Sequence, residues 1–403
     1  MAIESDVRSR DVPLSSLIGD PSRRRLLGMS WSHFLNDGTV NYLPGVLPAV
    51  LVALHIPLAL AGTVMAALLF GQALQPLAGW LADRAGGRGF VIAGLAGSSL
   101  GGALIGLAPD YWMLLVVLAL IGVSNSLFHP QALAAVRSLD HRRQGLSMSV
   151  FLVGGELGRG AWPFFASLVV VWLGLHALWV LELPALITLP FLFHWLPRLP
   201  ARHPEAARIA WRRHLKDIAL LVTYAGLRAT VTFAVATFVP LLWRARGGSL
   251  VGGASLITTM LVIGIIGNLG GGYLADRLGR RPVMVSASLL SALLLALFLY
   301  AHGPWLWVSL AALGIAVFAT LPVTILMGQD ILPENRSLGS GLALGLANGL
   351  GAVAVFLLGP LAAAWSIESV LWISVLLSVI SAPLALFLPE HRATVRRHVS
   401  PAS

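Results

Sequence analysis

Ionisable side chains stand in this chain where the surrounding residues are apolar. In MSWSHFLNDGTVNYLPGVLPAVLVAL (29–54), the HFLNDG core puts His33, Asn36 and Asp37 within five positions. QGLSMSVFLVGGELGRG (144–160) carries Glu156 and Arg159, LLVTYAGLRATVTF (220–233) carries Arg228, and NSLFHPQ (125–131) carries His129. Carboxylates take up and release protons, and histidine titrates close to neutral pH and can relay them. A guanidinium holds a carboxylate or phosphonate through two parallel hydrogen bonds. These residue types assign proton handling to Asp37 and Glu156, with His33 and His129 as relay candidates. Substrate binding falls to Arg159 and Arg228. The in-span amides Asn36, Asn41 and Asn348 either line the same path or hydrogen-bond between helices. A structural reading stands beside each assignment: Glu156 and Arg159, three residues apart, can neutralise one another, and either histidine can be a packing residue. Glu182 is a further in-span acid with no partner visible in the sequence.

Other chemistry is absent. There are no cysteines, which excludes disulfides, thiol catalysis and cysteine-based metal sites. No H-E-x-x-H or paired-histidine motif points to a metal, and no G-x-x-x-x-G-K-[ST] loop points to ATP. No nucleophile–base set suggests an enzyme. The expected energy source is a proton gradient, with no other cofactor.

The elements that position these residues are membrane helices. Of 403 residues, 57% are hydrophobic and 11% charged, against about 25% charged in ordinary soluble domains; mean hydropathy is +0.84. Twelve apolar segments, each long enough to cross a bilayer of about 30 Å, fall at roughly 26–53, 60–82, 89–108, 111–136, 145–172, 175–197, 215–243, 249–275, 283–301, 304–330, 338–364 and 367–389. The spacing predicts an all-α polytopic membrane protein. Its parts are a tail (1–25), a six-helix half (26–197), a polar linker (198–214), a second half (215–389) and a second tail (390–403). At about 1.5 Å of rise per residue, Asp37 and Glu156 lie roughly 16 Å deep, and Arg228 reaches a similar level, near the bilayer middle.

Of the 27 Lys and Arg residues, all but Arg159, Arg228, Arg244 and Arg246 fall in the tails, the linker and the loops on one side. That asymmetry places both termini and the linker in the cytoplasm. The net charge of +10 is therefore a topology signal, and nucleic acid is not an expected partner.

The loop after span two, GWLADRAGGRGF (79–90), recurs after span eight as GGYLADRLGRRPV (271–283). Gly79, Asp83, Arg84 and Arg88 align with Gly272, Asp276, Arg277 and Arg281. A duplication at half the chain length is the signature of transporters built from parallel repeats. The loop residues, with Arg280 and with Asp330 at the end of span ten, are candidates for a latch that holds one conformation through charge contacts at helix ends.

This loop resembles the G-x-x-x-D-x-x-G-R-R motif of the major facilitator superfamily. Gly272–Arg281 matches throughout; the first copy has Gly87 where an arginine is usual. Within that superfamily the chain resembles the fosmidomycin-resistance proteins through SHFLND (32–37), LFHP (127–130), QGLSMSVFLVGGELG (144–158), GQDILP (328–333) and GSGLALGLANGLG (339–351). The resemblance implies a monomeric inner-membrane protein that expels a small drug, by default an anion such as a phosphonate, in exchange for protons. Glu156 stands where an amide is expected and Arg159 where small residues are usual, which bears on the substrate. Proton-coupled uptake of an organic anion or nutrient is the alternative, since the same residues serve both directions.

Overall fold

The computed structural model describes residues 21–139, 144–198, 201, 211–333 and 336–389. They form twelve helical passages. The first half contains span one (α1, Pro21–Asn41, and α2, Leu43–Ala53), span two (α3, Ala61–Gln72, and α4, Gln75–Ala85), span three (α5, Gly89–Ile105), span four (α6, Tyr111–Leu139), span five (α7, Gln144–Leu173) and span six (a 3₁₀ segment, Leu175–Glu182, then α8, Leu183–Trp195). The second half contains span seven (α9, Trp211–Ala245), span eight (α10, Leu250–Leu278), span nine (α11, Arg280–Tyr300), span ten (α12, Trp305–Ala319, and α13, Leu321–Ile331), span eleven (α14, Arg336–Gly341, a π-helical turn, Leu342–Leu346, and α15, Ala347–Ala364) and span twelve (α16, Ile367–Phe387).

Nine helices among the described residues are long and apolar enough to cross a membrane by length and composition. Spans one, three and five are not among them, for reasons written in their sequences. Span three is short (17 residues). Span five carries Glu156 and Arg159. Span one carries the ionisable cluster and is broken at Tyr42, because Pro44 has no N–H to continue the helical ladder. The chain turns there through a Gly45 N–H to Tyr42 carbonyl bond of 2.9 Å.

Helix pairing repeats between the halves. Span one packs on span five as seven packs on eleven; span two packs on four as eight on ten; span three on four as nine on ten; span three on six as nine on twelve. Between the halves, span five meets span eight and span two meets span eleven. Small residues permit the closest approaches. A Cβ at Gly154 would stand 2.6 Å from the Ser30 carbonyl oxygen, and at Gly158 it would strike that of Phe34, so this face of span five lies backbone-to-backbone on span one. The glycines of 264–272 do the same for span eight on span ten, with Gly267 against Ile315 and Gly271 against Ala319. That close seating of span five on span one brings their ionisable groups together.

Candidate functional site

Asp37 sits at the centre, with 2% of its surface exposed. Its Oδ1 accepts from Asn36 Nδ2 at 3.2 Å and lies 3.2 Å from His129 Nε2. Its Oδ2 lies 3.4 Å from His33 Nε2, one helical turn away, and 3.3 Å from the Arg159 guanidinium. Arg159 also reaches Glu156 at 3.3 Å, so one guanidinium bridges two carboxylates. Spans one, four and five therefore contribute to one charged cluster. Around it, Asn36 donates to Asn125 Oδ1 (2.8 Å) and accepts from Ser98 (2.9 Å), which ties in span three.

The two histidines have defined tautomers. His33 Nδ1 is 2.8 Å from the Phe151 carbonyl, and His129 Nδ1 is 3.1 Å from the Asn125 carbonyl. A carbonyl only accepts, so each Nδ1 carries its hydrogen, and the Nε2 of a neutral ring is left as an acceptor. The two Nε2 atoms are 3.2 Å apart, and both face Asp37. Three acceptors thus converge with no hydrogen between them unless one proton is added. Asp37, Glu156 and Arg159 sum to −1, a charge that the nearby Arg228 or one bound proton can balance. An uncompensated charge at mid-membrane costs roughly 2.5–3.5 kcal/mol on insertion scales. The side-chain atoms of His33, Asp37 and His129 also lie within 4.8 Å of one another, close enough for a metal. The permanent charge of Arg159 on the same carboxylate oxygen opposes a divalent ion there, so the set is better matched to a proton.

Arg159 and Glu156 are the more open edge of the cluster, with side chains 29% and 15% exposed. Beside them Trp162 packs against Phe34, their ring centres 4.9 Å apart, and covers Gly38. Arg228 does not join the Asp37 cluster. It lines a separate small cavity in the second half with Tyr224, Ser288, Ser291, Thr320, Ser378 and Ser381. The guanidinium is still near enough to feel the charges of Glu156 and Arg159, and its buried Nε has no hydrogen-bond partner. Asn41 donates to the Asp37 backbone carbonyl at 2.8 Å, and Asn348 lies half-buried on α15.

The repeated loops make matching contacts. Arg84 lies over the Trp80 ring at 3.6 Å and Arg277 over Tyr273 at 4.5 Å, each one turn back on its own helix. Arg88 donates to the Phe193 carbonyl near the end of span six, and its counterpart Arg281 donates to the Leu388 carbonyl at the end of span twelve, at 2.8 Å. Gly86 and Gly279 hold the aligned turns at φ 63° and 92°, the left-handed region that glycine allows. Arg280 pairs with Asp330 at 2.6 Å; the first loop, with Gly87 at the aligned position, lacks the arginine for such a pair. Gly79 faces Pro130 of span four, and Gly272 faces Pro322 of span ten. Asp276 is exposed; the Asp83 side chain lies outside the described residues.

Residue spacing alone did not single out Asn125, Ser98 or the Phe151 carbonyl. Asn125 had a signal, one turn before His129 on the same helix face. The carbonyl had none.

The family model of the Major Facilitator Superfamily matches residues 29–271 and 220–402. The chain is 24% identical over 375 residues to the fosmidomycin resistance protein of Escherichia coli, covering 90% of this chain and 92% of that one. It is 26% identical over 352 residues to the uncharacterized MFS-type transporter YfnC of Bacillus subtilis, covering 82% and 84%. In structure it is similar to a crystal structure of the nucleoside transporter NupG, with a TM-score of 0.75 at 16% identity, covering 90% of this chain and 99% of that chain. A bacterial homolog of the human lysosomal transporter Spinster, inward-facing and occupied, gives 0.73 at 16% identity, covering 91% and 97%. These structural likenesses bear on the fold.

Proposed function

The chain belongs to the major facilitator superfamily, and from that premise we propose that it is a proton-coupled efflux transporter for a small, anionic, drug-like compound of the phosphonate class. The observation that carries this reading is the convergence of His33 Nε2, His129 Nε2 and Asp37 at 3.2–3.4 Å, a set of acceptors that one proton completes. A proton entering from outside joins this set and loosens the hold of Asp37 on Arg159. An anion from the cytoplasm then takes the guanidinium, with Arg228 as a second cation across the interface between the halves. The two halves rock about this point. Exchanging an outgoing anion for an incoming proton moves both charges with an inside-negative potential, worth roughly 2.3 kcal/mol per charge per 100 mV. The tails, 1–25 and 390–403, and the linker 198–214 lie mostly outside the described residues. In this reading the basic asymmetry of the loops assigns them to the cytoplasmic face of a bacterial plasma membrane, and the working unit is a monomer.

Uptake by symport is the second reading, and one observation favours it. Arg159 is shared by Asp37 and Glu156, so an anion that captures Arg159 makes both acids better proton acceptors and favours joint binding.

The test is a drug-susceptibility panel, fosmidomycin included, in an efflux-deficient strain with and without this protein. The expected outcome is raised resistance to at least one small anionic drug, lost in Asp37→Asn and weakened in Glu156→Gln at normal membrane levels. Wild-type resistance in both variants would overturn the coupling role. A deletion phenotype limited to growth on one nutrient would favour uptake.

A further inference from the structure

Glu182 stands apart from the cluster just described. It is fully buried at the junction where the 3₁₀ segment of span six becomes α8. Its Oε2 accepts from Thr39 of span one at 2.6 Å, and its Oε1 is buried. The buried Ser99 hydroxyl of span three lies beside the same carboxyl group. Gly102 makes the room: a Cβ there would stand 2.6 Å from Glu182 Oε1. Tyr42, at the break in span one, donates to the Gly102 carbonyl at 2.5 Å. The carboxyl group is therefore clasped between the break in span one and the junction in span six.

Nothing there balances a negative charge. Thr39 and Ser99 are neutral. Tyr42 is the titratable group that faces Glu182 from span one. Span three (Gly89–Ile105) carries no ionisable residue at all. On span five, Arg159 is engaged by Asp37 and Glu156, and on α8 the basic side chain is His194, in its last turn. Among the described residues, no Lys, Arg or His pairs with Glu182. An ionised carboxylate so placed would be a buried charge without a counter-ion, so the stable form here is the acid.

We propose that Glu182 is a second proton-binding group of this protein, filled in this conformation and exchanging its proton with water when the broken first span moves. Ionisation returns the proton to water. The carboxylate it leaves is tolerated only once hydrated, so proton loss and opening of the Thr39–Glu182 clasp occur together. The inference extends the proton-coupled reading to a second site without sharing a residue with the first.

Infrared difference spectroscopy on the purified full chain in lipid nanodiscs tests it without a substrate. At neutral pH, Glu182→Gln is expected to remove one carboxylic-acid C=O band, and in the wild type that band is expected to shift to lower frequency in D2O buffer. Thr39→Val keeps the carboxyl and is expected to shift the band to higher frequency, which covers the case where Glu182→Gln fails to fold. If neither variant alters such a band, Glu182 is ionised and the proposal falls. A band that never responds to D2O makes Glu182 a sealed structural acid and also overturns it. Asp37→Asn is expected to leave the band in place, so failure of the first proton site and failure of this one read out separately.

Discussion

At the residue scale, a single guanidinium and the carboxylate it bridges tie polar side chains of three helices together. Asp37 alone would be a costly intrusion into an apolar helix. It is stable because His33, His129, Arg159 and Asn36 all reach it. The surrounding amides matter in the same way. Asn36 is fully buried and uses Asn125 as its acceptor, so Asn125→Ala strands a buried donor. The expected cost is about 1–3 kcal/mol, seen as a lower unfolding temperature in detergent; an unchanged midpoint would mean that Asn36 finds another partner. Residue types announced Asp37, Glu156 and Arg159 as site candidates, because charge inside an apolar run is costly wherever it occurs. The tautomers of His33 and His129 were beyond reach, since they depend on backbone carbonyls 118 and 4 residues away in sequence.

At the element scale, the site exists because span five lies unusually close to span one. Gly154, Gly155 and Gly158 form the contact, with Gly155 directly on the His33 ring. Gly158→Leu is therefore expected to separate the helices, losing the Asp37–Arg159 bridge and most folded protein in a fluorescence size-exclusion assay. Gly270→Ala is the matched control: nothing lies within 4 Å of a Cβ there, and the alanine is expected to be neutral or to stabilise by roughly 0.5–1 kcal/mol. Equal loss in both variants would show that helix contact is not the cause. The loop repeat was legible in sequence because its glycines and arginines recur at fixed spacing. Its contacts were not: Arg88 and Arg281 each reach a carbonyl about 105 residues further on, near the end of spans six and twelve.

At the scale of the whole molecule, the halves carry the same helix pairings and different chemistry. The first half holds the Asp37–His33–His129 cluster and the buried Glu182. The second holds Arg228 in a hydroxyl-lined cavity. Orientation is the testable property at this scale, and the absence of native cysteine leaves no background labelling. Arg246→Cys is expected to react with a membrane-impermeant maleimide in intact cells, and Arg198→Cys only after permeabilisation. The reverse pattern would invert the topology and with it the direction of every step proposed above.

The sequence by itself determined the class: twelve apolar runs, a basic asymmetry and a duplicated loop are local properties, readable because the bilayer imposes length and polarity on each segment separately. It also marked the in-span charges as candidates, because charge inside an apolar run is costly wherever it occurs. Only the tertiary structure decided which of them meet. Residues at equal depth on different helices need not touch, so Arg228 went to its own cavity while His129 closed on Asp37. Glu182, which had no partner in the sequence, acquired Thr39 from a helix 143 residues away. Depth follows from rise per residue, but rotation about each helix axis follows from side-chain packing, and that is settled between helices.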